Sequence, residues 1–340
     1  MNLRTSYPYA VSIIVVSYNT RDLLRDCMKS LLAECARLPH NQPAEVLVVD
    51  NASTDGSPEM VTREFSTSHI PVRLIRSDVN LGFGAANNLA LNKAQGQYPI
   101  LLNSDAFLHS GALSLAIEHM NVTPEAGAAG ARQVSRDGSW QPSARSFPSI
   151  WNAAIVLTGL SARFRHSRIF GVPDRTWADP LQPAETDWVP GSFFILRREA
   201  LLKTGLFDPA FFFYFEEVDL CRRIRAAGFR VYYWPDIVVT HIGGESTRQL
   251  PSLKFSESDQ QVVLWRMRST LLYYRKHHGA KVDLAYWLEL TLLKLRWLRN
   301  VRKSNPARRP RAEEARHLTR LLHQAWHETK GGRISPPQPW

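Results

Sequence analysis

The first 110 residues switch between two hydrophobic periods. VSIIVV (Val11 to Val16) is an unbroken β-branched run with polar residues on both sides, the mark of a strand buried on both faces of a parallel sheet. TRDLLRDCMKSLLAE follows with Leu23, Leu24, Cys27, Met28, Leu31 and Leu32 at helical spacing and Thr20 as candidate N-cap. AEVLVVD (Ala44 to Asp50) predicts a second buried strand, and NASTDGSPEM turns into a helix. VRLIR (Val72 to Arg76) predicts a third strand, NLGFGAANNLALNKAQG opens another helix, and YPILLNSDA (Tyr98 to Ala106) predicts a fourth strand. This alternation points to an open, mainly parallel α/β sheet of Rossmann-like form with helices on both faces.

Such sheets bind ligands beyond the C-terminal ends of their strands. The residues there are Ser17, Tyr18 and Asn19, then Asp50 and Asn51, then Asn80 to Asn88, then Asn103, Ser104 and Asp105. Topology alone gathers these polar clusters on one edge. Farther on, residues 130–190 are irregular and rich in Pro, Ser, Arg and Trp, a long excursion expected on the active-site side. WVPGSFFILRREALLKTG predicts a strand and a helix, and FDPAFFFYFEEVDLCRRIRAAG an aromatic approach to a helix that starts near Glu216 and stops at Gly228. RVYYWPDIVVTHIGG predicts short strands, residues 255–330 helices, and the last ten residues a disordered tail.

Charge divides the chain. Its net charge is +11, yet residues 261–340 carry 17 Lys and Arg against 5 Asp and Glu, while residues 1–260 carry 25 against 26. The basic character belongs to the C-terminal segment and calls for an anionic surface, phospholipid or nucleic acid. No recognisable nucleic-acid motif accompanies it, and its aromatics sit in leucine-rich amphipathic contexts, so no nucleic-acid partner is expected. Val282 to Lys303 reads as a basic amphipathic helix with Trp287 and Trp297, suited either to a membrane interface or to packing on the catalytic domain. No stretch predicts a signal peptide or a membrane span. Three dispersed cysteines (Cys27, Cys35, Cys221) fit a reducing compartment without structural zinc.

Candidate chemistry is weak at each position taken alone. Asp105, with Asn103 two residues earlier on the same side of the pleat, can hold a divalent cation or merely cap the next turn. Glu216, Glu217 and Asp219 suit the first turn of a helix, but they directly follow an aromatic run that can desolvate a carboxylate and turn it into a base. His241, at a strand end before two glycines, suits a phosphate or metal site or a structural role. Gly82 and Gly84 form a GxG before a helix, often only a turn. Asp50 at its strand end suits a hydrogen bond from a nucleobase, or a cap.

Order decides between these readings. SIIVVSYN, VVDNASTDGS, NLGFGAANN, LLNSDA, VPGSFFILRREAL, GLFDPAFFFYFEEVDLCRRIRAAG and HIGGES, spread over residues 9–250, resemble in content and order glycosyltransferase family 2, the inverting enzymes of GT-A fold, and within it the bacterial rhamnosyltransferase-like members. The resemblance implies a GT-A nucleotide-diphospho-sugar transferase fold over residues 1–250, with sugar-nucleotide binding in 9–110 and acceptor and catalytic functions in 111–250. A helical basic extension (251–330) and a tail (331–340) follow. It implies a donor site of Ser17, Tyr18, Asn19, Asp50, Asn51, Asn80, Gly82, Asn87, Asn88 and Asn103. It further implies a divalent cation, Mg²⁺ or Mn²⁺, at Asp105 and His241, and a catalytic base at Glu217 with Glu216 and Asp219 beside it. The partners implied are a nucleoside diphosphate sugar donor and a saccharide or lipid-linked saccharide acceptor. Together with the dispersed cysteines and the basic C-terminal helix, this leads to the expectation of a cytoplasmic protein peripheral on the inner face of the cell membrane. Asn103 replaces the first acid of the usual metal motif, and Glu217 stands where Asp is commoner. The rival readings are a nucleotidyltransferase and an inactive sugar-nucleotide-binding protein.

Overall fold

A computed structural model of the chain describes residues 7–243, 256–301 and 309–336. The predicted alternation is present as β1 (Tyr9–Ser17), α1 (Arg21–Cys35), β2 (Ala44–Asn51), α2 (Ser57–Phe65), β3 (Val72–Ser77), α3 (Phe83–Leu91) and β4 (Gly96–Asn103). β3, β2, β1 and β4 lie side by side and parallel. Every residue of β2 is buried, as a strand covered on both faces must be.

The fourth predicted strand is two. β4 ends at Asn103, the chain turns at Ser104 and Asp105, and β5 (Ala106–Leu108) leaves for the far edge of the sheet. α4 (Ala112–Val122) and β6 (Ala126–Val134) follow, neither of them predicted. β6 reads AGAAGARQV, a composition with little strand propensity. Close packing accounts for its small residues: a Cβ on Gly130 would stand 2.6 Å from Cβ of Val189.

β7 (Trp140–Gln141), α5 (Ile150–Leu157), α6 (Leu160–Arg163) and β8 (Ala184–Thr186) give residues 130–190 more order than expected. β9 (Phe193–Leu196) runs antiparallel between β4 and β6. α7 (Arg198–Thr204) and α8 (Glu216–Ala226) lead to β10 (Arg230–His241), a single strand of 12 residues where short ones were expected. It pairs parallel to β6 through a register shift between Trp234 and Val238. Pro235, which has no amide to give the ladder, lies in that shift. β5 and β8 pair antiparallel to the other side of β10.

α9 (Ser256–His278), α10 (Lys281–Val301) and α11 (Arg309–Glu328) make the predicted helical extension. The chain forms two compact units. The first holds Met1–Ser146, Ala178–Asp208 and Glu216–Gln249, and the second Phe147–Trp177, Pro209–Phe215 and Leu250–Trp340. The extension therefore recruits two earlier segments. α5 packs on α10, and the rings of Phe212 and Phe213 pack on Trp265 of α9 at 5.0 and 5.8 Å. The aromatic run expected as a wall for the acids thus has its own partners in the second unit. Of the tail expected to be disordered from residue 331, the first part packs within the second unit: Gly331 and Gly332 are buried, and the carbonyl of Gly331 accepts from Arg275 Nε at 2.9 Å, while residues 337–340 lie outside the described residues.

Candidate active site

Strand register lines up the first part of the site. Ser17 stands opposite Asp50, and Val16 opposite Asn103. At about 4.8 Å per strand gap, the ends of β2 and β4 lie roughly 10 Å apart. Asp50 is buried; its Oδ2 accepts from the Ser53 amide at 3.3 Å, while Oδ1 has no hydrogen-bond partner among the described residues. Burial pushes its carboxyl above the usual range, and the Ser53 hydrogen bonds oppose this. A buried acceptor left open at a strand end is a place for a ligand N–H.

Most of the predicted asparagines are already engaged. Asn51 Nδ2 donates to Asn80 Oδ1 (2.9 Å) and to the Gly82 carbonyl (3.3 Å), and its Oδ1 accepts from the Leu81 amide. The amide of Asn87 donates to the Phe83 carbonyl within α3. Asn88 holds both main-chain groups of Phe207, its Nδ2 to the carbonyl at 2.8 Å and its Oδ1 from the amide at 3.1 Å. Asn19, in the left-handed region (φ 52°), pins residues 53 and 54 through its amide and its Oδ1. These side chains shape the loops around a ligand. Thr20 gives α1 no cap bond; its hydroxyl joins Ser17 and Ser104 in a buried chain with both steps 2.9 Å. Tyr18 is half-buried at the same edge.

A second cluster forms where β4 breaks. The turn at Ser104, and not the strand pleat, brings Asn103 and Asp105 together. Because Ala106 pairs with His241, the last residue of β10, both side chains meet that imidazole. His241 Nε2 lies 3.3 Å from the Asn103 amide nitrogen and 3.5 Å from Asp105 Oδ1. Asp105 Oδ2 accepts from the Gly243 amide at 3.1 Å. The rest of the HIGGES block, from Gly244, lies outside the described residues.

The acids of α8 divide among three directions. Successive residues differ by 100° around a helix, so Glu217 and Asp219 point to opposite sides. Asp219 is fully buried and binds Arg223 at 2.8 Å, whose guanidinium gathers the carbonyls of Thr204 and Leu206. That use is structural, and the structure does not bring Asp219 to the side of Glu217. Glu216 is buried against α3: a Cβ on Gly84 would lie 3.3 Å from its own Cβ. Glu217 is half-buried, and its Oε2 has no hydrogen-bond partner among the described residues. Desolvation raises its pKa to about 7, against the pull of its own backbone, Arg145 and the Gly191 backbone. Two successive left-handed residues, Tyr214 (φ 68°) and Phe215 (φ 71°), set the start of this helix, a strain typical of functional positions.

A short path joins the acid to the cluster. Glu217 meets the backbone of Gly191, the carbonyl of the next residue, Ser192, accepts from the Asn103 amide at 3.2 Å, and Asn103 touches His241. Gly191 has no room for a side chain, since a Cβ there would stand 2.7 Å from the Phe83 ring. Sequence reading quoted the VPGSFF block but singled out neither Gly191 nor Ser192, and it missed Arg145, whose guanidinium lies 5.3 Å above the Trp188 ring. No local signal marks Gly191 and Ser192, because their contacts depend on β9 running between β4 and β6.

A parallel half-sheet, an antiparallel strand beside it and an acid brought to the shared edge define the GT-A class of sugar-nucleotide transferases. The model of glycosyl transferase family 2 matches residues 12–218, and the chain belongs to that family: it is a glycosyltransferase. It is 30% identical over 260 residues to the N-acetylglucosaminyl-diphospho-decaprenol L-rhamnosyltransferase of Mycobacterium tuberculosis, covering 71% of this chain and 78% of that one. It is 24% identical to rhamnosyltransferase WbbL of Escherichia coli K12, over 77% and 92% of the two chains. The fold is shared with the mannosyltransferase PcManGT of Pyrobaculum calidifontis, solved with GDP-Man and Mn²⁺, at a TM-score of 0.57 and 18% identity, covering 96% of this chain and 91% of that one.

Proposed function

We propose that this glycosyltransferase moves a sugar, rhamnose by its relatives' names, from a nucleoside diphosphate to a hydroxyl of a lipid-linked saccharide during cell-surface polysaccharide synthesis, with inversion. It works in the cytoplasm, peripheral on the inner face of the membrane. Among the described residues no helix is long and apolar enough to cross a membrane.

The observation that carries the reading is the contact path from Glu217 through Gly191 and Ser192 to Asn103, His241 and Asp105. It supports a reading in which a carboxylate with an open oxygen works together with a group suited to a diphosphate. The open Oδ1 of Asp50 takes an N–H of the donor base, and the loops held by Asn19 and Asn51 close around the nucleoside. Glu217 accepts the proton of the acceptor hydroxyl as that oxygen attacks the anomeric carbon. General-base assistance of this kind is worth about 10²- to 10⁴-fold. The C–O bond to the diphosphate breaks on the opposite side, so one displacement inverts the centre and no covalent nucleophile is needed.

Asp105, His241 and Asn103 also fit a divalent cation. Asp105 Oδ1 faces the imidazole nitrogen at 3.5 Å while the Gly243 amide holds the other oxygen, and an Asn carbonyl is an additional oxygen donor. Among the described residues no set of three His, Cys, Asp or Glu side chains stands ready for a metal. Few protein ligands, completed by substrate phosphates and water, is the usual binding mode of Mg²⁺. When bound, the cation offsets charge on the departing diphosphate.

A donor screen that detects released nucleoside diphosphate, with and without Mg²⁺ or Mn²⁺, tests the reading. Release of a nucleoside diphosphate upon transfer is expected. Pyrophosphate in its place would make the protein a nucleotidyltransferase and overturn the proposal.

A further inference from the structure

α10 has apolar side chains on two faces. Val282, Tyr286, Leu290 and Leu293 are buried, with Tyr286 packed on Trp326 of α11 at 4.2 Å. Leu284, Trp287, Leu295 and Leu298 form a second row at i, i+3, i+11 and i+14, with the exposed Thr291 between its two halves. At 100° per residue that row lies roughly 150° around the helix from the first. The second row is exposed, Trp287 to 59%. A helix that covers a core with one face ordinarily shows polar residues on the other; four large apolar side chains left open on that face, interrupted by Thr291, mark a docking surface. Exposed Lys294 and Arg299 flank the row, one on each side.

The segment around α5 has the same composition. Trp151, Phe164 and Ile169 are exposed among the exposed Arg163, Arg165 and Arg168. The Arg163 guanidinium sits 5.5 Å over the Phe164 ring. Tryptophan and arginine together, beside leucines, suit the boundary between headgroups and acyl chains.

We propose that the Leu284–Trp287–Leu295–Leu298 face of the second unit docks on an anionic phospholipid surface, with Lys294 and Arg299 meeting headgroup phosphates. This deepens the peripheral-membrane reading and rests on it. Charge selects the lipid over other occupants. A second copy placed face to face would bring cations against cations, and nucleic acid has no use for a leucine row. Among the described residues no helix is long and apolar enough to cross a membrane, so the docking proposed for α10 is along the surface.

The test is co-sedimentation of the full chain with vesicles of equal phosphatidylglycerol and phosphatidylcholine, and with phosphatidylcholine alone. The chain is expected to bind the anionic vesicles. Trp287→Gln with Leu295→Gln should weaken binding about tenfold or more. Lys294→Gln with Arg299→Gln should weaken it about fivefold per charge, on the anionic vesicles only. All four positions are exposed, so the melting midpoint should not move. Wild-type protein that stays in the supernatant overturns both this proposal and the peripheral reading. Wild-type that binds while the Trp287/Leu295 variant binds equally well overturns this face alone. A dimer that the same variant dissociates, with vesicle binding unchanged, gives the face to a second copy and also overturns the proposal.

Discussion

Replacing Glu217 by Gln should damage activity and improve stability, and pH should govern both effects. The side chain has a pKa of about 7 in the folded protein, raised by desolvation, against 4.5 for a free Glu. Between those values the folded chain keeps a proton that the unfolded chain has lost, so stability falls as pH rises from about 4.5 to 7. The shift corresponds to about 3 kcal/mol at full ionisation, from 1.36 kcal/mol per pKa unit, an upper figure for a half-buried group. Gln imitates the protonated form. Glu217→Gln should therefore leave the melting midpoint unchanged near pH 4 and raise it by up to about 4 °C at pH 8, given the unfolding entropy of a chain this long. Turnover, read as nucleoside diphosphate release, should fall about 10²- to 10⁴-fold in the variant at pH 8. In the wild-type, kcat/KM should climb about tenfold per pH unit below 6 and level off above 8, because only the carboxylate accepts a proton. Full activity in the variant would remove Glu217 as the base. A stability gain equal at pH 4 and pH 8 would refute the desolvation argument.

Three further outcomes follow from the site. Asp105→Ala should cut turnover about 100-fold or more and raise the Mn²⁺ concentration needed for half-maximal rate; an unchanged metal titration would dissociate Asp105 from the cation. Asp50→Ala should raise the donor KM about tenfold or more with little change in kcat, since it removes a base contact present in both ground and transition states; a kcat loss at constant KM would contradict this assignment. Asn88→Ala breaks both hydrogen bonds to Phe207 and should cost about 2 kcal/mol in chemical denaturation. It should also lower kcat, because Phe207 and Glu216 both bear on Gly84, and activity undisturbed by that loss of stability would show that α8 is placed without the clamp.

The parallel half of the fold was legible because each element there has its own period: β-branched runs for strands covered on both faces, and a 3.6-residue pattern for the helices between them. From that alternation alone, the strand-end residues Ser17, Asp50 and Asn103 had to share an edge. The motif order from SIIVVSYN to FEEVDL added the family, because a sequence keeps chemical residues in order even where it hides geometry. Three-dimensional structure decided what those residues touch. β6 is a strand only because β9 and β10 enclose its alanines and glycines. Asp105 reaches His241 only because β4 breaks and β5 crosses to β10. The asparagines looked alike as ligand contacts, yet Asn51 and Asn88 hold main chain, while Asp50 and Glu217 keep open oxygens. The reason is physical: local sequence sets backbone preference and polarity, whereas hydrogen-bond partners and desolvation come from segments distant in the chain, which only the folded sheet brings within reach.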